Sequence, residues 1–175
     1  MAQHANPVMQ RTPPVAIHAD APAEKLFITQ YRCWTAGYSL CNRTCLNLAR
    51  VVLQSYVTPC CVNTLYDAFH FFAFTMNTQA QKPIEWRPDA CRYLCRDEYL
   101  ALRLISSSQA GDFNEEVSAA TDLLGMDEIH LLVTASRLLA HALKVRGFVF
   151  GPAAAPEDER STSTQDAPPS RLTLH

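Results

Sequence analysis

A chain of 175 residues, 48% hydrophobic and 18% charged, is long enough to bury a sizeable core as one domain. Its formal net charge of −2 argues against general attraction to nucleic acid or to an anionic membrane. No run of eighteen uncharged apolar residues occurs, and the first twenty residues lack the apolar centre of an export signal, so a soluble, cytoplasmic protein is expected.

Residues 1–21 read as a flexible tail, rich in Pro, Ala and Gln and without periodicity. A single helical domain is expected over 22–150. Pro22 suits a first helical position, and Glu24 faces the positive end of the helix dipole. Leu26, Phe27, Tyr31, Trp34 and Tyr38 then recur at helical spacing. Gly37 either ends this helix or admits a close neighbour. Ser39 is a candidate cap for a second helix carrying Leu40, Leu46, Leu48, Val51, Val52 and Val57.

Thr58-Pro59 restarts the chain, with Thr58 as cap and Pro59 at the first helical position. The third helix runs to about Met76 and holds Tyr66, Phe69, Phe71, Phe72 and Phe74. Its apolar residues occupy most of its circumference, which predicts the central helix, wrapped on nearly all sides. Pro83 and Pro88 break the following stretch, where Trp86 is expected to anchor a loop.

A fourth helix begins near Cys95, with Glu98 in the capping-box position, and Ser106-Ser107-Ser108 and Gly111 end it. Asp112 or Asn114 caps a short fifth helix that Gly125 terminates. The last helix starts at Asp127 and carries two stripes. One is Ile129, Leu132, Ala135, Leu139 and Ala142; beside it runs Leu131, Leu138 and Val145. Gly147 is a natural stop, and Phe148–Phe150 can fold back onto the bundle. Residues 151–175 read as a disordered tail. The pattern predicts an all-α, irregular or orthogonal bundle of five to six helices between disordered termini.

Seven cysteines without an export signal argue against a disulfide framework, and buried thiols acting as small hydrophobes are the ordinary reading. The alternative is a metal. Cys41 and Cys45 share one CxxxC spacing and Cys91 and Cys95 another. On helices such pairs present two thiols to one ion, so the four can bind zinc or an iron–sulfur cluster. Cys60-Cys61 stands at a helix N-terminus, where the dipole lowers thiol pKa. Cys95, between Arg92 and Arg96, is the candidate reactive thiol, with Asp97 and Glu98 opposing. Trp34, His70 and Trp86 are candidates for lining a small apolar pocket.

No HExxH, GxSxG, P-loop or dinucleotide fingerprint occurs. Residues 115–143 have a helix–glycine turn–helix order, but Asp127 and Glu128 open the second helix and would repel phosphates. No nucleic acid or membrane partner is therefore expected. The first functional expectation is a non-enzymatic protein-interaction or regulatory module, without cofactor, that self-associates, with a homodimer as the simplest form. The acidic stretch 97–128 is a candidate face for a basic partner. The alternative is a cysteine-ligated metal or thiol redox protein.

Overall fold

The computed structural model describes residues 15–18 and 21–151; the remaining residues of the two expected tails lie outside the described ones. Six helices and two short strands follow in chain order: β1 Val15–His18, α1 Pro22–Ser39, α2 Arg43–Tyr56, α3 Pro59–Gln79, β2 Tyr93–Leu94, α4 Arg96–Ala110, α5 Phe113–Leu124 and α6 His130–Lys144. The all-α bundle is the fold. Against expectation, β1 and β2 pair antiparallel, with Val15 opposite Leu94 and His18 opposite Tyr93.

Local signals set most helix ends. Pro22 occupies the first turn of α1, and Glu24 accepts from the Ala21 N–H at 3.4 Å. Gly37 lies inside α1 because Leu46 of α2 packs on it: a Cβ there would collide with Leu46 Cδ2. Asn42, rather than Ser39, caps α2, accepting from the Thr44 N–H at 2.9 Å. Cys41 makes the preceding turn with φ +49°. Gly111 and Gly125 stop α4 and α5 at φ +75° and +70°, a left-handed conformation that costs glycine little.

The bundle is organised by contacts of α1 with α2 and α3, of α3 with α6, and of α4 with α5 and α6. Phe27 of α1 sits at the junction, with ring centroids 6.2 Å from Phe69, 6.1 Å from Phe72 and 6.1 Å from Phe150. Burying a ring this fully stabilises by roughly 1.5–3 kcal/mol. Phe148–Phe150 does fold back: Gln109 donates to the Phe148 carbonyl at 2.9 Å and accepts from the Phe150 N–H at 3.0 Å.

The expectation that the aromatic helix is central is corrected. Helix α3 buries seven of its 21 residues, whereas α1 buries eleven of 18 and α4 ten of 15. Aromatic residues all round a helix cannot all point inward when neighbours cover only one side. Phe71 and Phe74 therefore stay 39% and 48% exposed, and α1 and α4 are the enclosed helices.

The loop between α3 and α4 is held by charge rather than by apolar packing alone. The buried Arg32 guanidinium bridges Glu98 through Nε at 2.7 Å and Nη2 at 3.1 Å. It also donates to the carbonyls of Pro88, Asp89, Cys91 and Tyr93 at 2.8–3.2 Å. Glu98 in turn accepts from the Cys95 and Arg87 N–H groups, both at 2.9 Å. Asp97 accepts from the Glu85 N–H at 3.0 Å and from Lys82 at 2.6 Å. Two buried carboxylates thus open α4 where its dipole favours them, each with both oxygens hydrogen-bonded.

Candidate functional site

The four cysteines expected to share a metal are not assembled into a ligand set. The CxxxC argument needs both members of each pair on one helix, and neither pair meets that condition. Cys41 is in the turn before α2 while Cys45 is inside it; Cys91 is in the loop while Cys95 is the residue before α4. Among the described residues no group of three or more His, Cys, Asp or Glu side chains is placed to hold a metal ion.

Cys95 is a poor nucleophile where it stands. Its thiol is buried and lies 3.4 Å from the Glu85 carbonyl. Burial, followed by the charge of Glu98, pushes its pKa up to about 12. The arginines next to it in sequence do not overcome those two effects. Cys33, also buried, is pushed up to about 11 for the same first reason.

Trp34 and His70 do meet. Their rings stack 5.2 Å apart at 16°, and Tyr38 lies 6.4 Å from His70 at 11°. The exposed imidazole covers the buried indole. Trp86 is half-buried against the core, and no ring pairing among the described residues joins it to the other two. A cavity of about 350 Å³ opens beside the start of α3, lined by Arg50, Gln54, Val57, Pro59, Val62 and Asn63. None of the three predicted pocket residues lines it.

The acidic stretch 97–128 is turned only partly inward, with three of its eight acidic residues buried. Asp97, Glu98 and Glu116 are buried, and each is ion-paired. Glu115 pairs with Arg103, and Asp112 caps α5 by accepting from the Glu115 N–H at 3.1 Å. Asp122, Asp127 and Glu128 stay exposed, so the accessible charge of this stretch lies from α5 to the start of α6.

Helix α6 presents an outward apolar line. Its inner side buries Leu132, Val133, Ala135, Ser136, Leu139, Ala140, Ala142 and Leu143. The second stripe read from the sequence remains outside: Leu131, Leu138 and Val145 are 56%, 56% and 63% exposed. Three large apolar side chains at intervals of seven form one line along a helix. Arg137, beside that line, holds Glu116 and lies 5.9 Å over the exposed Phe113 ring, which widens the apolar surface toward α5. Exposed Asp127 and Glu128 precede the helix, and Lys144 and Arg146 stand at its end.

A second cluster lies where α3 begins. Cys60 and Cys61 hold their sulfurs 3.7 Å apart, and the Thr58 hydroxyl lies 3.3 Å from the first and 3.5 Å from the second. Thr58 makes no backbone cap bond, so its hydroxyl serves the thiols. The Thr58 hydroxyl first, then the Arg146 guanidinium and Cys60, draw the Cys61 pKa below the ordinary thiol value. The helix start was legible in the sequence; Arg146, 85 positions away, was not.

No protein-family model, no curated protein and no solved structure matches this chain. No helix among the described residues is long and apolar enough to cross a membrane.

Proposed function

We propose that this protein is a non-enzymatic helical interaction module that pairs with a second copy of itself through the outer face of α6. The observation that carries the reading is the exposed line Leu131, Leu138 and Val145. Position 138 is midway between 131 and 145, so the line is self-complementary about a twofold axis at Leu138. Leu131 of one copy then faces Val145 of the other, as an isologous interface requires. The same antiparallel arrangement brings Asp127 and Glu128 of one copy toward the Lys144 and Arg146 end of the other, and opposes the two helix dipoles.

The energetics favour a weak, concentration-dependent dimer. Covering the exposed half of each side chain is worth about 1–1.5 kcal/mol, hence roughly 6–9 kcal/mol for the six across the axis. That is comparable with the ~4–15 kcal/mol that association costs in lost freedom, so flanking contacts such as Phe113 and the end charges decide the outcome. In this reading the protein works in the reducing cytoplasm, which suits a chain whose seven cysteines are all free of disulfide bonds.

Sedimentation velocity across a wide concentration series tests the proposal. The expected result is a mass rising from 19.5 kDa toward twice that value, with the dimer weakening as salt is added. A species that stays at 19.5 kDa at the highest concentration removes it.

A further inference from the structure

We propose that His141 makes the pairing of α6 helices pH-sensitive, so that the dimer comes apart as the medium turns acidic. This inference rests on the self-association proposed above. Leu131, Leu138 and Val145 are only part of the outer seam of α6. Thr134 and His141, both exposed, fall between them, and the positions 131, 134, 138, 141 and 145 alternate steps of three and four. That is the full repeat of a two-helix seam. The Thr134 hydroxyl donates back to the His130 carbonyl at 2.9 Å, which spends its proton within the helix. His141 is therefore the one titratable side chain in the seam.

The twofold axis at Leu138 brings position 141 of one copy level with 135 of the other. His141 is thus laid against Thr134 of the facing helix, and the two imidazoles stand about 9 Å apart along the axis. The charged neighbours on its own chain are cations: Arg137 one turn before, Lys144 one turn after and Arg146 just beyond. Glu116 of α5 is taken up by Arg137, and Lys144 rests on the Gln109 carbonyl of α4 at 3.3 Å. Helices α3, α4 and α5 all pack on α6. Among the described residues, Asp67 of α3, Asp97 and Glu98 of α4, and Glu115 and Asp122 of α5 form no ion pair with His141. Asp127 and Glu128 of the other copy come level with 149 and 148, roughly 10 Å further along, a full Debye length in ~0.1 M salt.

A neutral imidazole enters such a seam at little cost. An imidazolium loses water there beside like charges and gains no counter-ion. The dimer accordingly binds fewer protons than two separate chains. Association is strongest above the histidine range and is lost as pH falls through it. Excluding two protons per dimer raises the dissociation constant by up to about 100-fold for each pH unit of acidification.

Sedimentation equilibrium of the full-length protein at about pH 7.5 and about pH 5.5, at one ionic strength, tests the switch. The dissociation constant of the parent chain should rise at least ~10-fold at the lower value, while circular dichroism shows the chain still folded. His141→Gln is neutral throughout and should pair at both values with little change. His130→Gln should keep the parent response, because position 130 lies outside the seam. His141→Lys is charged throughout and should pair weakly at both. A parent dimer equally tight at both values overturns the switch and leaves the dimer standing. So does a His141→Gln dimer that weakens on acidification as the parent does, or a parent chain that unfolds at the lower value. A chain that forms no dimer at the higher value removes both proposals.

Discussion

Leu138→Glu is the sharpest perturbation of the proposed dimer, because the residue sits on its twofold axis. Leu138 is 56% exposed within one chain, so the substitution removes little from the core. Monomer stability is expected to move by no more than about 0.5 kcal/mol. Across the axis the change is doubled. Two leucines lose about 1–1.5 kcal/mol of burial each. Two carboxylates at about 6 Å, with an effective dielectric of 20, repel by roughly 3 kcal/mol. The sum is about 5–6 kcal/mol, and each 1.4 kcal/mol is a tenfold change, so the dissociation constant should rise at least ~1,000-fold. Sedimentation equilibrium measures the constant, and thermal unfolding monitored by circular dichroism checks that the fold is intact. Mixing the Leu138→Glu and Leu138→Lys chains should restore pairing as a heterodimer. A Leu138→Glu chain that dimerises as the parent does would refute the register and the face together.

Glu98→Ala should destabilise the chain by about 3–5 kcal/mol in urea titrations, because it leaves the buried Arg32 charge without its carboxylate. A change under about 1 kcal/mol would mean the loop is held by apolar packing instead. Alkaline stability has a definite sign. The folded-state pKa of Cys95 is raised from the ordinary 9.0 to about 12, and that of Cys33 to about 11. Their protonated forms therefore contribute stability that is fully present below pH 9 and lost as pH rises through those folded values. Unfolding free energy should be level up to about pH 9 and fall above it, with a shallower fall in Cys95→Ala; a stability rising over that range would contradict the burial argument. Gln109→Ala frees the segment Phe148–Phe150 by removing its two backbone contacts, and limited proteolysis there should accelerate. Unchanged cleavage would show that Phe150 packing, the Phe148 N–H on the Leu143 carbonyl and Ser106 on the Gly151 carbonyl hold the segment without Gln109.

Helix starts and stops were legible because their causes are local. Pro22, Thr58-Pro59, Gly111 and Gly125 act through backbone geometry, and Glu98 reaches only the N–H three residues before it. Ser106-Ser107-Ser108 misled as a stop. Ser107 and Ser108 return their hydroxyls to the carbonyls four residues earlier, both at 2.8 Å, so the helix carries on to Ala110. The enclosure of α3 was not legible, since a helix apolar all round does not reveal which side its neighbours take. The stripe on α6 was legible as a line of residues, whereas its exposure depends on α3 and α4 occupying the other side. The Arg32–Glu98 pair joins positions 66 apart, and no local pattern announces it.

The grip of Arg32 bears on how this protein can change over time. The guanidinium holds four main-chain oxygens between positions 88 and 93 and touches none of the side chains there through those bonds. Any residue supplies such an oxygen. The amino acids of that segment are thus free to drift while the path of the chain stays put, and mutational tolerance along it should end abruptly at Arg32 and Glu98 themselves.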